Sequence, residues 1–472
     1  MVDLNVVALD SRGQPVGDLG RDDFRVTDAG KVRPIAFFRH RDQSPRPLPQ
    51  LAPNEYSNRG PGKLANATLI LFDMLNEKLS TRGYTANQLI QSLQPLESAN
   101  GVFLYLLTVN GALYPLRGLP GSESESQPED GQPWTRRIKP LMDQALRAVL
   151  QVRETGIVED VQYRAEVTFR ALSAIAAQLA SVPGRKSIIW LSDGVPLELG
   201  PHRSDTGDFV DYTPLLRQMS ETMDRSGVSI YPVRMIMLGS PDNIDGANRD
   251  GMSSISTLDT FATLTGGRPG GTKDIGAALR QAISDMRTSY EMGYYLPASD
   301  WDDKFHKLRI ECSRKGVRIQ AKTGYYAWRH AVGDRSTQAL QAAISSRFDA
   351  AEIGLRASLS PETGNQRKLT VHVDANDIVL AHEGESYRGR LQFAFAVFNG
   401  NTAQGASEPI PLDLHYTAEE RDSAFSKGIG FAQGLTLAPQ TTALRVIVYD
   451  RNSTAIGSVT IPVDAPGKQD PR

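Results

Sequence analysis

Cysteine is almost absent: Cys312 is the only one in 472 residues, so a single chain can build neither an internal disulfide nor a cluster of thiolate metal ligands. It stands in a strand-like stretch, 306–313, and reads as an inert small residue. Histidine is scarce, seven in all, and no two stand at the His-x-x-x-His spacing that sets both imidazoles on one helical face, which disfavours a zinc hydrolase. An excess of either charge is also missing. The 52 Lys and Arg against 54 Asp and Glu leave a net charge of -2, with no basic field to draw in a phosphate backbone, so nucleic acid is not expected as a partner. Apolar runs such as 101–109 have strand length and fall well short of the ~18 residues of a membrane span. The first residues, Met1-Val-Asp-Leu-Asn-Val-Val-Ala-Leu, alternate as a strand and show neither the basic nor the apolar region of a signal segment. Ser192 lies in Leu-Ser-Asp-Gly rather than Gly-x-Ser-x-Gly, so a serine nucleophile for hydrolysis is not visible.

What is present is an ordinary globular composition, 40% hydrophobic and 22% charged, in a chain long enough for two or three domains. Residues 1–40 read as a β segment of short strands separated by turns at 10–13 and 28–31. The Pro-, Gly- and Ser-rich stretch 41–64 reads as a linker. From 65 to 328 apolar runs alternate with helical periodicity, the pattern of a parallel sheet covered by helices. Strands are expected near 68–72, 102–109, 112–116, 187–191, 228–233 and 290–296, with helices at 81–93, 138–152, 165–180, 213–225, 254–264 and 275–288. The polar insert 118–134 reads as a surface loop, and 307–312 with 317–322 as a closing hairpin. A helical connector at 329–350 leads to short strands over 351–465, with no Cys pair, the pattern of an immunoglobulin-like β-sandwich. Residues 466–472 form a tail. The expected fold class is therefore α/β, a doubly wound, mostly parallel sheet, flanked by an N-terminal β segment and a C-terminal β-sandwich.

In an open α/β sheet, ligands sit outside the carboxyl ends of strands where the strand order reverses. Two of the expected strands end in aspartate, Asp73 after Leu-Ile-Leu-Phe and Asp193 after Ile-Ile-Trp-Leu-Ser. With Asn76, Glu77 and Ser192 they offer the oxygen ligands that a hard cation such as Mg²⁺ requires. The plainer alternative is that each strand-end aspartate accepts hydrogen bonds from a turn or helix start. Arg185 and Lys186 read as a solvated strand end. The tyrosine pairs Tyr294, Tyr295 and Tyr325, Tyr326 read as alternating across strands, one ring in the core and its neighbour near the surface.

Five strings occur in a fixed order: Leu-Phe-Asp73; Pro183-Gly-Arg-Lys-Ser-Ile-Ile-Trp-Leu-Ser-Asp193-Gly; Thr265-Gly-Gly267; Tyr290-x-x-Gly-Tyr-Tyr295; and Gly324-Tyr-Tyr326. Together with Asp10-x-x-Gly13 and Asp23-Phe24 they make residues 1–328 resemble the VWFA-related domain family known mainly from Acidobacteria. The resemblance implies a Rossmann-like von Willebrand factor A domain, an extracytoplasmic location, and a metal-ion-dependent adhesion site of the form Asp-x-Ser-x-Ser with a threonine and a distal aspartate. Asp73 and Asp193 match the acidic positions. Leu75 and Glu77 stand where the serines belong, so the implied site is degenerate, and either Glu166 or Thr168 falls near the threonine position. The function expected is that of a non-enzymatic binding, adhesion or scaffold protein contacting a protein or surface ligand. The alternatives are a metal-dependent hydrolase using the carboxylate-rich crevice and a structural module without metal.

Overall fold

The computed structural model describes residues 2–42, 50–60, 66–76, 87–94, 101–119, 161–180, 186–195, 209–234, 257–268, 274–329, 336–346 and 348–463, with a few isolated positions. Most of the expected helix at 138–152 and of the loop at 118–134, together with Arg185 and the tail, lie outside the described residues.

A five-stranded sheet occupies the centre of the sequence. Strands β6 (Ala67–Asp73), β7 (Val102–Leu107), β9 (Lys186–Leu191) and β12 (Val228–Val233) run parallel, and β8 (Leu113–Arg117) returns antiparallel, in the order β12-β9-β6-β7-β8. Every residue of β6 is buried, because the strand is apolar on both faces and helices cover both. Its period-two alternation sorts the side chains. Leu69 and Leu71 join Trp190, Phe169 and Ile175 under α1 (Val161–Ala180) and α2 (Thr213–Ser226), whereas Ile70 and Phe72 join Ile189 and Leu191 against α3 (Ile275–Arg287).

Parallel pairing stops there, and the expectation of a doubly wound, mostly parallel α/β chain is corrected. Among the described residues the five other sheets are antiparallel throughout, and strands outweigh helices. The strand expected to extend the parallel sheet, β13 (Thr288–Tyr294), instead lies between β1 (Val2–Leu9) and β4 (Phe37–Asp42). The outer edge of β12 is closed to it. Ile230 donates its N–H to Thr265 Oγ1 at 2.9 Å, and Gly267 lies so close that a Cβ there would stand 1.8 Å from the Ile230 carbonyl oxygen. The Thr265-Gly-Gly267 string thus acts as an edge cap, with glycine needed for the backbone approach.

Residues 1–40 accordingly do not form a segment of their own. β1 also pairs with β15 (Arg318–Gln320), while β2 (Phe24–Asp28) lies between β3 (Lys31–Arg33) and β14 (Phe305–Cys312), which continues to β16 (Gly324–Tyr326). These strands enclose a core of Leu4, Val6, Phe24, Val26, Tyr290 and Met292. The C-terminal unit is two antiparallel sheets over one core. The first comprises β5 (Glu55–Ser57), β17 (Leu355–Pro361), β18 (Gln366–Val373) and β23 (Ile429–Thr436). The second comprises β19 (Ala381–Glu383), β20 (Ser386–Asn399), β24 (Ala443–Asp450) and β25 (Ile456–Pro462), with β21 (Thr402–Ala406) and β22 (Ile410–Tyr416) also on β20. The stretch expected as a linker, 41–64, contributes β5 to this unit. Helix α4 (Ser336–Ser345) covers the outer face of the second sheet through Leu340 and Ala343, and α5 (Ala418–Lys427) precedes β23. Among the described residues no helix is long and apolar enough to cross a membrane.

Candidate functional site

The parallel register sets Phe72 beside Leu191, which brings the carboxyl ends of β6 and β9 together, with Asp73 next to Ser192. Asp73 is wholly buried, and its carboxylate is occupied. Oδ1 accepts the backbone N–H of Asn76 at 3.0 Å, and Oδ2 accepts Asn76 Nδ2 at 2.8 Å, Trp190 Nε1 at 3.0 Å and Ser192 Oγ at 2.8 Å. All four donors are neutral. Burial pushes the Asp73 carboxyl above its ordinary value, and the hydrogen bonds from Asn76, Ser192 and Trp190 oppose that shift.

A second ring of contacts holds this one. Asn76 Nδ2 also donates to Thr168 Oγ1 at 2.7 Å, and its Oδ1 accepts Arg164 Nε at 3.1 Å. Of the two residues weighed for that position, Thr168, fully buried in α1, is the one that joins this network. Glu166 faces solvent and takes Gln162 Nε2 at 3.2 Å. Ser192 Oγ accepts the Gly194 N–H at 2.9 Å, and the buried Asp193 lies between them in sequence, flanking the network. Leu75, at the first serine position, is buried in the core beneath α1. Glu77 lies outside the described residues.

Of the five residues singled out in the sequence, the structure thus joins Asp73, Asn76 and Ser192 directly and sets Asp193 alongside. It does not give them the form of a cation site. A divalent ion needs lone pairs converging on one point. Here those of Asp73 already accept protein donors, and the Asn76 oxygen is held by a guanidinium. Among the described residues no group of three or more His, Cys, Asp or Glu could hold a metal. The described residues, Glu77 not among them, do not fit Mg²⁺ as they stand. A cavity of about 560 Å³ lies elsewhere, lined by Arg39, Glu291, Lys322, Trp328, Glu352 and Tyr449 among others.

Sequence reasoning missed a second buried polar cluster. His306, on β14, directs Nδ1 at Asp28 Oδ1 (2.9 Å) and Nε2 at Asp302 Oδ1 (3.2 Å). Each ring nitrogen faces a carboxylate oxygen. Arg33 lies 3.3 Å from Asp28 Oδ2 and 2.5 Å from Asp300 Oδ2, and holds the Asp300 carboxyl below the usual carboxylate range. The Tyr325 hydroxyl reaches Asp28 Oδ2 at 3.5 Å and accepts from Tyr294 at 3.3 Å; burial pushes both phenols up. Tyr294 and Tyr325 are the core members of their pairs, whereas Tyr295 is 59% exposed. The cluster ties β2, β3, β14 and β16 to the loop before β14. No motif marks it, since Asp28 and His306 stand 278 residues apart.

No family model matches the chain. No curated protein matches it either. Among solved structures it is similar to the crystal structure of the pilus adhesin SpaC from Lactobacillus rhamnosus GG in its open conformation, at 8% identity and a TM-score of 0.29, over 96% of this chain and 58% of that one. A TM-score that low carries no inference about fold or function, and the chain spans little more than half of that adhesin's length.

Proposed function

We propose that the chain is a non-enzymatic binding protein, and that the rim at the carboxyl ends of β6 and β9 contacts its partner without a metal ion. The observation that carries this reading is the engagement of Asp73 by the protein itself. Its two oxygens accept four neutral protein donors, three of them on Oδ2, so the carboxylate serves to pin the rim rather than to hold a cation, a water nucleophile or a substrate proton. The connection from β9 to α2 leaves this rim and carries the hairpin of β10 (His202–Arg203) and β11 (Phe209–Val210). Val210 packs on the core while Phe209 stands 74% exposed, an aromatic anchor of the kind that protein interfaces favour.

Two measurements test the reading. Calorimetric titration with Mg²⁺ is expected to give no binding heat; a heat abolished by Asp73→Ala would overturn the metal-free reading. A photo-crosslinking residue at position 209 is expected to capture a partner from envelope or extracellular fractions, where the family resemblance directs the search, equally with and without chelator. Capture no stronger than from position 305, an exposed control on β14, would remove the rim as the contact surface.

A further inference from the structure

The first sheet of the C-terminal unit ends on one side at β23, and its ladder with β18 fixes which backbone groups remain outside. Leu437 N–H donates to the Asn365 carbonyl at 3.1 Å, in the same register that pairs Gln433 with Leu369 and Ile429 with Val373. The odd-numbered residues of β23 therefore exchange hydrogen bonds with β18, and Gly430, Ala432, Gly434 and Thr436 direct N–H and C=O away from it. Among the described residues no backbone group answers them. Gln433 Nε2 folds back onto the Gly434 carbonyl at 3.2 Å, a side chain filling in for a missing strand. The strand, Ile-Gly-Phe-Ala-Gln-Gly-Leu-Thr, carries no charge, proline or register break, the usual protections of an open edge. At this edge Phe431 and Leu435 pack only partly buried against the core, so the unit is open where its hydrogen bonding is open.

We propose that β23 pairs antiparallel with β23 of a second copy of this chain, doubling the four-stranded sheet across a two-fold axis. One register uses every outward group: Ala432 opposite the partner's Gly434 and Gly430 opposite the partner's Thr436, each pair exchanging both hydrogen bonds. The same register sets Gln433 opposite itself on the axis and Phe431 across from the partner's Leu435, so each copy supplies the apolar cover that the other lacks. Being uncharged, the strand meets its own copy without repulsion. A single strand-to-strand contact buries less than the ~1,200 Å² of a standard interface, so the pairing is concentration-dependent. This inference concerns a different face of the molecule from the proposed rim and goes beyond that reading.

Sedimentation velocity of the full chain over a hundredfold concentration range is the test, with a shift to twice the monomer mass expected. Ala432→Pro removes an outward N–H that β18 does not use, and is expected to hold the chain monomeric at every concentration with its unfolding midpoint unchanged. Should that variant unfold early, Gly434→Lys, where a side chain meets nothing within 4 Å, takes its place with the same expectation. In a Cys312→Ser background, Gln433→Cys is expected to cross-link to itself on oxidation, since residues facing one another between hydrogen-bonded pairs stand ~4.5 Å apart at Cα, whereas Thr436→Cys is not. A wild type that stays monomeric, or a dimer that survives both edge variants, overturns the proposal. A monomer that binds a synthetic peptide of residues 429–436 would overturn it too, assigning the edge to a peptide strand.

Discussion

Asp28 and Asp73 are both wholly buried, yet they are satisfied by opposite means. Asp28 lies between the Arg33 guanidinium and the His306 ring that Asp302 holds from its other side. Asp73 has only neutral donors: an indole, a hydroxyl, an amide and a backbone N–H. The first arrangement matches charge with charge and ties together strands from the two ends of residues 1–328. The second spreads one charge over dipoles and fixes the geometry of a rim. A buried carboxylate at a strand end is thus no sign of chemistry in itself; what its lone pairs accept decides the matter.

The sharpest way to break the comparison is Asp28→Ala. It leaves Arg33 and His306 buried without their shared acceptor and is expected to cost about 3–5 kcal/mol, as loss of one partner from a buried ion pair does; urea unfolding at neutral pH measures it. Asp73→Asn comes next. It preserves shape, but each oxygen of Asp73 faces an obligate donor, the Asn76 backbone N–H on one and the Trp190 indole on the other, so the new amide nitrogen must point at an N–H group. The expected cost is about 1–3 kcal/mol, and an unchanged midpoint would show that the neutral network tolerates a donor.

The pH dependence of that difference separates the two networks further. Because the folded Asp73 carboxyl titrates above its ordinary value, its contribution to stability is complete below the unfolded value and is lost as pH rises through the folded one. The gap between wild type and Asp73→Asn should therefore narrow as pH is raised from the ordinary carboxylate range; a gap that widens would contradict the raised value. The smallest effect expected is that of Tyr325→Phe, about 1 kcal/mol, since its contact with Asp28 lies at the 3.5 Å limit of a hydrogen bond and the cost falls on the buried Tyr294 hydroxyl, which loses this acceptor.

The same two sites mark how far the sequence could be read. Asp73 and Asp193 were visible because each closes an apolar run, and strand ends gather where the strand order reverses. The choice between Glu166 and Thr168 was not, because it depends on the rotation of α1 about its axis, which an apolar stripe defines only loosely. The engagement of Asp73 by protein donors was hidden for a related reason. Composition displays oxygen atoms but not the Trp190 N–H aimed at them. Asp28 and His306 were invisible because they face each other through the antiparallel register of β2 with β14. In the fold, the runs that became β6, β9 and β12 announced a buried parallel sheet. The run 290–296 reads alike in sequence, yet it pairs with β1 and β4, while Thr265 to Gly267, a tertiary contact, lies along β12.

The passage of the first residues through two separate sheets has a consequence for the order in which the molecule is assembled. β1 and β4 sit against β13, and β5 closes the sheet of β17. On a ribosome these opening strands emerge long before their partners exist, while β6 through β12 can already pair among themselves. The central sheet can therefore form early during synthesis, whereas β1 and β4 stay without β13 until translation has passed residue 294 and β5 without β17 until it has passed residue 361.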